Sequence, residues 1–207
     1  MLAPATFDLK PLFRDPDMFD SPGFWRRAGF EVEGEGTPSN IMVASHPSTK
    51  GWLFKRYSSV VSLREQRDNY RCRIKGADKL REFITARELT RCVVPQKYLH
   101  ALPSAFSYKG ESSYVLVVEQ LSLLKSSTSK QRYRELDKEG LRQLCTVLRT
   151  FEGLDSGVRN IPFTVGGQIA FIDTERWDEG KETPLRHVSK YLSAEQRQFA
   201  VSVFKGL

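Results

Sequence analysis

The chain has 207 residues, of which 40% are hydrophobic and 28% charged, and a formal net charge of +7. These values are ordinary for a chain that buries a core as one large domain or two small lobes. They exclude a membrane-spanning reading, because the longest apolar stretch, residues 114–118, is far shorter than a bilayer crossing. Residues 1–10 lack the basic start and apolar core of a signal peptide. The three cysteines, Cys72, Cys92 and Cys145, have neither metal-ligand spacing nor a disulfide framework. They read as small buried hydrophobes in a reducing, cytoplasmic compartment. The positive charge is compatible with nucleic acid, phosphorylated ligands, acidic proteins or anionic lipid. Its two dense regions, residues 64–91 and 125–142, also carry acids. They read as solvated helix faces, so direct nucleic-acid binding is not expected.

In chain order, residues 1–30 are rich in aromatics and prolines (Phe7, Phe13, Phe19, Phe24, Trp25, Phe30) and predict an ordered strap across a surface. Residues 30–33, 40–45 and 52–57 alternate as three strands of an antiparallel meander, with turns at 34–39 and 46–51. A helical region runs from about Leu63 to Leu89, with one apolar face carrying Leu80, Phe83 and Ile84. Gly76 is a candidate break between two helices. An extended segment starts at Val93 and ends near Pro103, and residues 104–108 and 113–119 predict a hairpin. The fold class is α+β. Residues 1–120 form a first lobe, and residues 121–207 a second, mostly helical one. Residues 125–130 are a linker or helix start. Leu141, Leu144, Cys145, Val147, Leu148 and Phe151 define an amphipathic helix, and Ser193 opens a last helix.

The chemistry gathers in residues 151–177. Residues 161–164 and 168–172 flank Gly166 and Gly167 and read as a hairpin. Such a hairpin sets Asn160 beside Asp173, with Asp155 just upstream and Glu175 just beyond. Carboxylates and an amide converging at a sheet rim suit a divalent cation and a proton acceptor. That combination fits phosphoryl transfer, where positioning and charge neutralisation supply most of the catalysis.

With these parts in this order, the chain resembles the protein-kinase fold. Gly34, Gly36, Ser39 and Ile41 resemble its Gly-rich loop, and Lys55 on the third strand resembles its phosphate-binding lysine. Residues 117–121 resemble the fifth strand and hinge. The resemblance implies Val118 at the back of an adenine pocket and adenine bonds from the backbone of Glu119 and Leu121. Asp155 and Asn160 are five positions apart, and Asn160 and Asp173 thirteen, as in the kinase catalytic loop and metal-binding Asp. By resemblance, Asp155 handles the proton of the attacking hydroxyl, Asn160 and Asp173 hold Mg2+, and Glu82 or Glu65 pairs with Lys55.

The chain also departs from the family. Leu53 stands where a small alanine covers the adenine, and Gly153-Leu154 replaces His-Arg. Thr174-Glu175 replaces Phe-Gly, giving an Asp-x-Glu like that of aminoglycoside and choline kinases, in which Glu175 helps hold the metal. No Ala-Pro-Glu segment follows, and only 32 residues come after Glu175. The plan is therefore that of a two-lobed kinase-like fold with a much reduced C-terminal lobe. It is similar to the minimal atypical kinases that bacterial pathogens deliver into host cytosol. The function implied is transfer of the ATP γ-phosphoryl group, with Mg2+, to Ser or Thr of a host protein, with substrate or an activating protein partner supplying the grip. The alternatives are a protein-binding pseudokinase and a small-molecule kinase.

Overall fold

A computed structural model describes residues 9–13, 22–33, 41–57, 61–103, 112–180, 185 and 187–206. The architecture is mixed α+β and divides into two compact units. The first takes residues 1–74 and 96–120, and the second residues 75–95 and 121–207. Residues 75–95, placed by the sequence reading in a lobe of residues 1–120, group here with residues 121–207.

The first unit is built on a five-stranded antiparallel sheet ordered β1-β2-β3-β6-β5. Its strands are β1 (Glu31–Glu33), β2 (Ile41–Ser45), β3 (Trp52–Tyr57), β5 (Lys97–Ala101) and β6 (Tyr114–Glu119). The β2–β3 turn is closed by His46, whose ring accepts from the Ser48 N–H at 3.2 Å, and by Gly51 at φ 85°. Side chains alternate across a strand, so each face collects its own core. On one face Ala44, Phe54, Tyr98, Val115 and Val117 pack against Leu9, Phe13, Trp25 and Phe30. Trp25 belongs to a short helix, α1 (Pro22–Arg27). On the other face Tyr57, Leu116 and Val118 meet Tyr70 and Ile74 of the long helix α2 (Leu63–Ala86). The Tyr70 hydroxyl also accepts from the Tyr57 N–H at 2.9 Å, and burial raises its pKa. The described part of the N-terminal strap is thus one layer of a three-layer unit.

β6 pairs with Lys97–Ala101, within the segment read as extended, and residues 104–108, expected as its hairpin partner, lie outside the described residues. Lys97 stands opposite Val118 in this pair and is 1% exposed. The helix is also continuous through Gly76.

The second unit holds the C-terminal half of α2, α3 (Ser126–Arg134), α4 (Lys138–Thr150) and α5 (Ala194–Lys205). Of the two readings of residues 125–130, linker or helix start, the structure has the helix start. The α4 stripe of Leu141, Leu144, Cys145, Val147 and Leu148 is buried with Ala77, Leu80, Ile161, Phe163, Phe171 and Ala200. A two-residue parallel pair joins β4 (Cys92–Val93) to β7 (Ile169–Ala170). Cys92 and Cys145 are buried, and desolvation pushes both thiols up to about 12; Cys72, expected to be buried, is exposed. Ser193 and Gln196 form the reciprocal cap of α5 that the sequence predicts. Among the described residues no helix is long and apolar enough to cross a membrane.

Asp137 caps α4 by accepting from the Gly140 N–H at 2.7 Å, and its other oxygen accepts from Arg91 at 2.6 Å. The backbone bond, with Arg91 beside it, lowers its pKa. The stability this carboxylate adds is therefore present above the ordinary Asp value near 3.8 and is lost as pH falls through the lower folded value. Asp137→Ala is expected to cost about 1 kcal/mol at neutral pH. Asp137→Asn should keep most of the cap and weaken the acid dependence. Urea titrations at pH 7 and pH 3 check both outcomes.

Candidate functional site

Helix α4 ends at Thr150, and the chain is then pinned by its own apolar residues. Phe151 and Leu154 are buried, with the Leu154 N–H donating to the Phe151 carbonyl at 3.1 Å. Asp155 is left exposed, and its Oδ1 accepts from the Gly157 N–H at 2.9 Å. Ser156, Val158 and Ile161 are buried and hold a turn in which Asn160 N–H donates to the Gly157 carbonyl at 2.8 Å. A side chain on Gly157 would sit 3.3 Å from Asp155 Oδ1 and 3.9 Å from Asn160 Nδ2. The two polar groups therefore flank this glycine.

The expected hairpin follows. Thr164 N–H donates to Gln168, Ala170 N–H to Pro162, and Ile172 N–H to Asn160, at 2.8, 2.8 and 2.9 Å. Gly167 takes φ 84° at its tip. Its last rung joins Asn160 to Ile172 and delivers Asp173 next to Asn160. The hairpin is anchored from outside: Ile169 N–H donates to Arg91 at 2.7 Å, Phe163 N–H donates to Ser129 Oγ at 3.2 Å, and the Tyr133 hydroxyl donates to the Ile161 carbonyl.

Asp173 Oδ1 accepts from the Glu175 N–H at 3.2 Å, starting a turn over residues 175–178. Two glycines let this turn lie close. A Cβ on Gly76 of α2 would fall 2.2 Å from the Thr174 carbonyl oxygen and 2.6 Å from Trp177. A Cβ on Gly153 would fall 1.6 Å from the Arg176 carbonyl oxygen. Thr174 is fully buried, and the Trp177 ring lies 6.3 Å from Phe151 with the Lys75 ammonium 5.4 Å away. Gly76 and Gly153 are the residues sequence reasoning missed. The first reads as a helix break and the second as a lost histidine, whereas each is a place where backbone needs the space of a side chain. Gly153→Ala is expected to destabilise by about 1–3 kcal/mol, because a carbonyl cannot retreat as a flexible side chain can. Thermal melts of the variant check it.

A cleft of ≈ 150 Å³ opens here, lined by Gly153, Asp155, Asp173, Glu175 and Arg176. Three of the four residues predicted within residues 151–177, Asp155, Asp173 and Glu175, share it. Asn160 does not line it but is one hydrogen bond from Ile172. No three His, Cys, Asp or Glu side chains among the described residues are grouped closely enough to hold a metal ion by themselves. Asp173, Glu175 and Asn160 nevertheless fit Mg2+ in kind. It takes hard oxygen donors and is usually bound by one or two carboxylates, water and substrate phosphates instead of a protein cage.

The other predicted residues belong to the first unit, to helix α2 or, for Leu121, to the start of the second unit's longer segment. Lys55 is half-buried on β3, opposite Val43 and Leu116, and Ile41 is half-buried at the start of β2. Gly34, Gly36 and Ser39 lie outside the described residues. Val118 is buried at 3% exposure, and Leu53 stands opposite it in the sheet. Glu119 donates its N–H to the Gln96 carbonyl at 2.8 Å, and its carboxylate accepts from the Gln96 N–H at 2.9 Å. The Glu119 N–H is thus committed to the sheet. Leu121 is half-buried where the second unit resumes. Glu82 is exposed and ion-paired with Lys79 at 2.9 Å, and Glu65 is exposed in the first turn of α2.

The chain matches no protein-family model and no curated protein sequence.

Proposed function

We propose that the protein is an ATP-dependent phosphotransferase of a reduced, two-lobed kinase-like plan, acting on a Ser or Thr hydroxyl of a protein. The observation that carries this reading is the shared cleft: Asp155, Asp173 and Glu175 line one small cavity, with Asn160 tied by its backbone to the strand that delivers Asp173. It is supported by the order of β-strands around Lys55 and α2 in the first unit. In the proposed reaction the acceptor oxygen bonds to the γ-phosphorus, and the bond to the β,γ-bridging oxygen breaks. ADP leaves with that electron pair, and the hydroxyl proton passes to Asp155. Bound Mg2+ would neutralise phosphate charge. Asp173, Glu175 and Asn160 would hold it. Lys55 and the carbonyl of Glu119, with Leu121, are the proposed contacts of phosphate and adenine.

A second reading, transfer to a small-molecule hydroxyl, is favoured by Glu175 lining the cleft beside Asp173, as an Asp-x-Glu metal pair requires. Incubation with labelled ATP and Mg2+, with and without eukaryotic cell extract, separates the readings. Label in protein supports the first and label only in small molecules the second. Nucleotide binding without transfer under any condition points to a pseudokinase, and overturns both. Asp155→Ala is expected to lower turnover about a hundredfold or more with nucleotide binding retained, as loss of a general base does. Unchanged turnover would remove Asp155 from the reaction.

A further inference from the structure

Arg176 is the single cation among the residues lining the acidic cleft. The mechanism above gives it no role. Its backbone is held on both sides: its carbonyl accepts from the Glu179 N–H at 3.1 Å and occupies the space over Gly153 that a Cβ would claim. Its side chain is held loosely. The Nε lies 3.7 Å from Glu179 Oε2, and the two side chains are 65% and 58% exposed. Exposed pairs of this kind hold weakly, so the guanidinium is free to exchange Glu179 for a better acceptor. The cleft is small for a nucleotide, since ligand pockets usually start near about 300 Å³. It has room for the terminal, reacting part of one. A guanidinium offers a planar fork of donors matched to phosphate oxygens.

We propose that Arg176 grips the γ-phosphoryl group of bound ATP and so sets the enzyme's preference for ATP over ADP. This inference rests on the phosphotransferase reading and deepens it. The acidic residues of the cleft repel a phosphate, and a guanidinium carried on a turn whose backbone is held at the cleft offsets that repulsion when it swings from Glu179 to the transferring group. The turn that carries Arg176 begins at Asp173, so phosphate grip and proposed metal ligand move as one piece. Gly153, standing where kinases have histidine, is what admits the Arg176 carbonyl to this position.

The test is calorimetric binding of ADP and of the β,γ-imido analogue of ATP, each with Mg2+, to wild type, Arg176→Ala, Arg176→Gln and Arg176→Lys. Wild type should prefer the ATP analogue. Arg176→Ala and Arg176→Gln should lose about tenfold or more in affinity for the analogue with ADP binding unchanged, the size expected for a charged hydrogen bond. Arg176→Lys should recover part of it. Melting temperatures should match wild type, since the side chain is exposed. Equal loss for both nucleotides, or no loss, overturns the role while leaving the phosphotransferase reading standing. Tighter binding of both would also overturn it, by showing that Arg176 competes with the metal instead of assisting. Wild type that binds neither nucleotide would sink the phosphotransferase reading and this role together.

Discussion

Asp173→Ala is expected to abolish measurable phosphate transfer while leaving the protein folded. Asp173 is the residue on which the candidate site converges. The Asn160–Ile172 rung sets its position, the Glu175 N–H at 3.2 Å orients its carboxylate, and it lines the cleft with Asp155. In its proposed role as a Mg2+ ligand, Asp173 would underlie several kcal/mol of transition-state charge stabilisation, so the loss should be on the order of a thousandfold or more. Nucleotide binding in Mg2+ should fall as well, in contrast to Asp155→Ala, where turnover falls more than binding. Asp173 is only partly buried, so its removal leaves no core cavity, although the turn loses the bond from the Glu175 N–H. Far-UV circular dichroism and a melting curve separate lost chemistry from lost structure. Full transfer by a folded Asp173→Ala protein would remove this cleft from the reaction.

Trp25→Ala is expected to cost about 3–5 kcal/mol of stability, a large part of what a small domain has. Trp25 is fully buried, its ring packs edge-on to Phe30 at 4.7 Å, and Phe13 lies 6.0 Å away. Phe13 in turn contacts Phe54 of β3 at 5.8 Å. Truncating the indole would leave a cavity between α1 and the sheet that carries Lys55. Urea denaturation should show a lower midpoint, and deletion of residues 1–30 should be worse, exposing Phe54, Val115 and Val117. A deletion variant as stable as the full chain would show that the strap is not a layer of this unit. The described part of the strap, through Leu9, Phe13, Trp25 and Phe30, is thus built in by packing.

Much of this was legible in the chain. The three meander strands, the amphipathic α4, the Ser193 cap and the hairpin at residues 161–172 all follow from local rules: alternation, helical spacing, capping chemistry and paired glycines. The hairpin then determines the neighbours Asn160 and Asp173, because a turn of known length fixes which residues face each other. Where local rules mislead, long-range packing decides. Lys97, in a segment that reads only as extended, is buried on the strand that pairs with β6, and residues 125–130, which read as a linker or a helix start, open α3, whose Ser129 and Tyr133 bond to the hairpin.

By itself, the sequence determined the α+β class, the strand and helix positions that local periodicity encodes, and the register that brings Asn160 to Asp173. Tertiary structure alone decided what surrounds them. Whether Gly76 and Gly153 are breaks, losses or close approaches depends on the carbonyls of Thr174 and Arg176, from segments far along the chain. A missing side chain leaves no periodic signal, and its meaning comes only from the atoms that fill the space. The same holds for Arg176: nothing in its neighbourhood of sequence marks it, and only the folding of its turn over Gly153 brings a cation to the acidic cleft.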